Sequence, residues 1–232
     1  MSTYVIGDVQ GCFKTFEKLL LKINFNPEKD YIWFLGDLVN IGNNSLKALK
    51  WAYKNKDICN TLIGNHEMNL LCISEGLAKI HEEDTVEEIL AHKRKDEWLE
   101  WVRNRPLIHE HGDYLLVHAG LHPSWSLSFS RKIASEVEEA LRGPDYRDYL
   151  QKWKKKYYKT WEEGLSEKKR FSTALNVMTK MRFLDEEQKL VKKAKGELQK
   201  AEEGLTPWFR HLHPTLKKKK IIFGHWSAVG VH

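Results

Sequence analysis

Apolar positions in the first third of the chain follow two alternating rhythms. Short runs rich in β-branched and aromatic residues, Thr3 to Ile6, Tyr31 to Leu35 and Cys59 to Ile63, read as strands. Between them, Phe13 to Ile23 and Leu46 to Tyr53 repeat apolar side chains at helical spacing. The resulting order is β-α-β-α-β. Two further short strands, Leu107 to Glu110 and Tyr114 to Val117, flank His111-Gly112-Asp113, where Gly112 suits a hairpin turn, so the sheet pairing changes there. From Ser130 to about Gly204 the pattern is helix-rich and charged, and Ile221-Ile222-Phe223 reads as a last buried strand. No internal repeat or linker interrupts the pattern, which predicts one domain over residues 1–232.

Composition acts mainly by exclusion. With 41% hydrophobic and 30% charged residues, the chain is too apolar for a disordered protein and too charged for a membrane one. No apolar stretch approaches the roughly 18 residues that cross a bilayer. Met1 leads directly into strand-like residues with no signal segment, which predicts a cytoplasmic protein. Three cysteines without CxxC spacing, Cys12, Cys59 and Cys72, are read as buried small hydrophobes. The net charge of +6 is unevenly placed, because Arg147 to Lys220 holds 21 basic against 10 acidic residues. There Lys152, Lys154, Lys155 and Lys156 interleave with Trp153, Tyr157, Tyr158 and Trp161. Such a mixture can attract phosphates and stack bases. The preferred reading is a solvated helical face with its aromatics turned inward.

The candidate chemistry lies at the strand ends. Each early strand closes on a glycine and a polar ligand type: Gly7-Asp8-Val9-Gln10-Gly11, Gly36-Asp37-Leu38-Val39-Asn40 and Gly64-Asn65-His66-Glu67. Ligands of α/β sheets collect at the carboxyl ends of strands, which clusters Asp8, Asp37 and Asn65. Two later strands end in Val117-His118-Ala119-Gly120 and Phe223-Gly224-His225-Trp226, adding two imidazoles. Carboxylate, amide and imidazole together suit divalent metals such as Mn²⁺, Fe²⁺ or Zn²⁺.

With Thr179-Lys180-Met181-Arg182-Phe183 and Pro207-Trp208-Phe209 added, these motifs resemble the phosphoprotein-phosphatase type of metallophosphoesterase. Within that group the chain is similar to the bacterial symmetrical diadenosine tetraphosphate hydrolases. The resemblance implies a calcineurin-like α/β/β/α sandwich with mixed sheets and a basic helical insertion on the substrate side, at about residues 128–205. It implies symmetrical cleavage of diadenosine tetraphosphate into two ADP, by in-line attack of a water acidified between two divalent cations, with Mn²⁺ or Co²⁺ expected and Fe²⁺ or Zn²⁺ as alternatives. Carried over by position, Asp8 and Gln10 hold the first cation, Asp37 bridges both, and Asn65, His118 and His225 hold the second. His66 resembles the general acid that protonates the departing nucleoside diphosphate, while Asn40, Lys180 and Arg182 are expected to contact substrate.

Three departures stand out. Gln10 occupies a position where the wider superfamily usually has His, and Ile41 one where relatives commonly place an arginine that grips phosphate. The family also continues for some forty residues and further strands past Gly-His-Trp. The competing readings are a phosphatase for phosphoprotein or small phosphate esters, and a regulatory or RNA-binding metal protein without turnover. Tetraphosphate-capped RNA ends are a second candidate substrate, and no membrane partner is expected.

Overall fold

The structure, a computed structural model, describes residues 1–192, 194, 196–197 and 202–230, and divides into two compact units, Met1–Pro106 and Leu107–His232. Unit one opens with β1 (Thr3–Ile6), α1 (Phe13–Lys22), β2 (Tyr31–Phe34), α2 (Ser45–Lys54) and β3 (Cys59–Thr61). The strands pair in parallel in the order β1-β2-β3, with Thr3 opposite Tyr31 and Ile32 opposite Cys59. This is the expected β-α-β-α-β unit. Phe16 of α1 ties its layers together, its ring meeting Phe34 of β2 edge-on at 5.4 Å and Trp51 of α2 at 4.7 Å. Such aromatic pairs add about 0.5–1.5 kcal/mol each to simple burial.

Three helices follow: α3 (Asn65–Ser74), α4 (Glu87–Leu90) and α5 (Lys95–Arg103). The helix α5 carries Asp96 and Glu97 in its first turn and Arg103 in its last, the charge order that the backbone dipole favours, and buries Trp98, Trp101 and Val102. Cys59 and Cys72 are buried as expected. Cys12 is exposed, because it precedes α1 on a loop and not on the apolar face that Phe13 and Phe16 turn inward.

Unit two begins with the anticipated hairpin, β4 (Ile108–His111) and β5 (Tyr114–Val117), turning at Gly112 with φ +56°. A side chain would be strained there. Strand β9 (Lys220–Phe223) pairs in parallel with β5, so this second sheet is mixed. Between them lie α6 (Leu127–Arg142), α7 (Tyr146–Lys155) and α8 (Glu167–Lys180). The Ser126 hydroxyl caps α6 by accepting the Phe129 N–H. Every residue of α8 from Phe171 to Thr179 is buried.

The basic face of α7 is arranged as the periodicity predicts. Leu150 and Trp153 are buried and the neighbouring lysines 154–156 are exposed. The indole N–H of Trp153 donates to Asn176 Oδ1 at 2.8 Å. The helical pattern expected to about Gly204 stops earlier. After α8 the chain forms β6 (Phe183–Leu184), β7 (Leu190–Val191) and β8 (Thr206–Pro207), a small antiparallel sheet in the order β7-β6-β8. Residues 193, 195, 198–201 and 231–232 lie outside the described set. Among the described residues no helix is long and apolar enough to cross a membrane.

Candidate metal and phosphate site

Parallel pairing of β1, β2 and β3 brings the three loops that follow them to one edge of the first unit. Backbone hydrogen bonds lock these loops together. Gln10 N–H donates to the Asp37 carbonyl at 2.7 Å, Gly11 N–H to the Leu38 carbonyl at 2.9 Å, and Gly42 N–H to the Gln10 carbonyl at 2.8 Å. Only glycine fits where two loops cross this closely. A Cβ on Gly42 would stand 2.6 Å from the Gln10 carbonyl oxygen, and one on Gly11 2.3 Å from the Gly42 oxygen.

The Asp37 carboxylate is 1% exposed and seated at the N-terminus of α3, where its Oδ1 accepts the His66 backbone N–H at 2.9 Å. Gly64 makes room for it, since a Cβ there would lie 2.1 Å from Asp37 Oδ1. Asp8 and Gln10 are half-buried on the loop after β1, and Asn65 is the half-buried first residue of α3. The backbone departs from common conformations at this edge. Gln10, Asp37, Asn40 and Ile41 all have positive φ, between 46° and 77°, which costs of order 1–3 kcal/mol at each such residue and persists only where surroundings enforce it.

At Asp37 one enforcing group is Glu67, whose role the sequence reading missed. Its carboxylate is 1% exposed and accepts N–H bonds from Asp37 at 2.7 Å, Leu38 at 2.8 Å, Gly64 at 3.0 Å and, at 3.4 Å, Val39. The available signal was position: Glu67 is the third residue of α3, where a carboxylate reaches back to the N-cap, here the Gly64 N–H.

His66 lies beside Asp37, with Nε2 3.8 Å from Asp37 Oδ2. Asn40 is 3% exposed, and its amide nitrogen lies 3.0 Å from His66 Nδ1. The same amide meets Asp84 and Thr85, so Asn40 is engaged with protein atoms. Ile41 is 49% exposed at φ +66°, an uncommon conformation for a β-branched residue.

In unit two, the parallel ends of β5 and β9 deliver His118 and His225 side by side. Gly224 N–H donates to the His118 carbonyl at 2.8 Å, and the two imidazole centroids are 5.2 Å apart. His118 is fully buried, and His225 has φ +61°. Arg182, just after α8, donates from Nη2 to the His225 carbonyl at 3.2 Å. Lys180, the last residue of α8, sets its ammonium 3.7 Å above the Trp153 ring. Burial pushes the nearby Tyr157 hydroxyl up to about 12, with the charge of Arg182 pulling the other way. His122 is a satisfied core histidine. Burial lowers it to about 4, and its ring nitrogens meet Ser124 Oγ and the Gln188 carbonyl.

These donors fit borderline divalent cations: a buried carboxylate at a helix N-terminus in one unit, and two adjacent imidazoles in the other. The calcineurin-like phosphoesterase family model matches residues 1–226. The symmetrical bis(5'-nucleosyl)-tetraphosphatase of Chromobacterium violaceum is 42% identical over 232 residues, covering all of this chain and 84% of that protein. The protein of the same name from Dechloromonas aromatica is 40% identical with the same coverage. Among solved structures, a protein assigned as a diadenosine tetraphosphatase aligns with a TM-score of 0.60 at 17% identity, covering 96% of this chain and 74% of that one, a likeness of fold.

Proposed function

Because the chain belongs to the calcineurin-like phosphoesterase family, we propose that it is a metal-dependent hydrolase that splits diadenosine tetraphosphate symmetrically into two ADP. The observation that carries this reading is the buried Asp37 carboxylate, held by Glu67, Gly64 and the start of α3, in a chain 42% identical to a symmetrical tetraphosphatase. The proposed ligands are Asp8, Gln10, Asp37 and Asn65, together with His118 and His225. Two divalent cations, Mn²⁺ or Co²⁺ by preference, would neutralise phosphate charge and make the attacking water more acidic.

The protein's own groups supply the rest. Asp37 is fixed by its hydrogen bonds before substrate arrives, so its carboxylate needs little reorganisation during reaction. His66 presents Nε2 on the Asp37 side and is assigned the proton that the departing ADP oxygen needs. Arg182 steadies the loop carrying His225 and, with Lys180, is proposed to face the polyphosphate. Asn40 is assigned to holding His66 and no longer to substrate.

Product analysis with purified protein and added Mn²⁺ tests the reading. Two ADP should be the sole early products, and chelation should stop turnover until Mn²⁺ is restored. ATP plus AMP would replace symmetrical by asymmetrical cleavage, and inertness with bound metal would favour a protein without turnover.

Ile41 leaves the reacting phosphate without the planar, charged donor that an arginine provides. The Ile41→Arg variant should raise kcat/KM about tenfold or more, since a charged hydrogen bond contributes ~1.5–3 kcal/mol. An unbranched Cβ also accepts φ +66° more readily than isoleucine does, so thermal stability should hold or rise. An unchanged or lower rate with metal retained would show that the phosphate is gripped elsewhere.

A further inference from the structure

We infer that Asp84, together with the backbone amide of Thr85, positions His66 through Asn40; this deepens the reading of His66 as the proton donor and rests on it. Asp84 stands outside every strand-end motif, in the turn before α4, more than forty residues from Asn40 in sequence. Its Oδ1 accepts from Asn40 Nδ2 at 2.6 Å, and the Asn40 Oδ1 accepts from Thr85 N–H at 2.9 Å. These two contacts leave the amide one orientation. Turning it over would set its NH₂ against the Thr85 N–H and its oxygen against the Asp84 carboxylate.

With one amide hydrogen on Asp84, the other points at His66 Nδ1, 3.0 Å away. Nδ1 therefore accepts, and the ring proton sits on Nε2, the nitrogen facing Asp37. Asp84 is itself anchored, because its Oδ2 accepts the His81 N–H at 2.7 Å and its own N–H donates to the His81 carbonyl. Thr85 is likewise sewn to the loop that follows β2. Its Oγ1 donates to the Gly42 carbonyl at 2.8 Å and lies 2.7 Å from Ser45 Oγ, which accepts the Asn40 N–H. A single polar turn thus aims one face of the imidazole.

Leaving-group dependence in the metal-loaded enzyme tests this. For aryl phosphates running from 2,4-dinitrophenyl to phenyl, Asp84→Ala should lower kcat progressively more as the departing phenolate becomes more basic, from under threefold to about 10–100-fold, with KM and metal content nearly unchanged. Asp84→Asn should recover most of the loss, because its amide oxygen still accepts from Asn40. In the metal-free protein, ¹⁵N NMR should show His66 as the Nε2–H tautomer in wild type and a mixture in Asp84→Ala. Equal loss across the series, no loss at all, or an unchanged tautomer would overturn the positioning role. If His66→Ala itself leaves kcat and the leaving-group slope intact, it is the proton-donor reading that fails. Where that reading holds, Asp84→Ala should add nothing to His66→Ala.

Discussion

Asp37→Asn should abolish hydrolysis, by about 10³-fold or more, and should bind less Mn²⁺ than the wild type. If Asp37 holds the cations as proposed, the charge stabilisation lost with it would be several kcal/mol, and each 1.36 kcal/mol is a factor of ten in rate. The substitution is a clean one for two reasons. Asparagine is among the residues that most readily adopt the φ of +50° found here, and its amide oxygen can still accept the His66 N–H that now goes to Oδ1. The fold should therefore survive while the charge is lost, which circular dichroism and metal analysis on the same sample would verify. A near-normal rate would remove Asp37 from the metal site and with it the two-cation mechanism.

The largest loss of stability is expected from Glu67→Ala, although Glu67 is not assigned to metal or substrate. Truncation would strip an acceptor from the N–H groups of Asp37, Leu38 and Gly64, and from the longer Val39 contact, all in a buried setting. Opening a buried, charged hydrogen-bond set typically costs about 3–5 kcal/mol. At ~2–4 °C per kcal/mol for a chain of this size, the melting temperature should fall by about 6–20 °C. Glu67→Gln should fall between, because one oxygen still accepts while the NH₂ opposes an N–H. A shift under 2 °C for Glu67→Ala would mean that water replaces the carboxylate and that the strained loop stands without it.

How much of this was legible depended on periodicity. Strands β1, β2, β5 and β9 and helices α1 and α2 show in the sequence because each carries a run or stripe of apolar side chains of the right period. Helix α3 hides, since Met68, Leu70, Leu71, Cys72 and Ile73 are all buried and form a near-continuous apolar run in place of a helical stripe. The two-residue strands β6, β7 and β8 are too short to have a period. The candidate ligands could be picked out because a glycine followed by Asp, Asn or His at a strand end is a local signal. The roles of Asn40 and Asp84 could not, because each depends on partners brought close by tertiary folding, 26 residues away for Asn40 and His66 and 44 for Asn40 and Asp84. Glu67 signalled only its local bond to Gly64 and not those to Asp37 and Leu38.

The first two sheets also differ in the timing expected for their assembly. In the first unit, partners such as Thr3 and Tyr31 or Ile32 and Cys59 are separated by under thirty residues, so its strands can zip sequentially as the chain is made. His118 and His225 meet only when β5 has found β9, and Tyr114 must wait for Lys220, more than a hundred residues later. Closing so long a loop carries an entropy cost that is met before any pairing contact repays it. The imidazole pair is thus expected to form late, and on refolding Mn²⁺ binding should return more slowly than helical signal after dilution from denaturant; equal rates would refute this order.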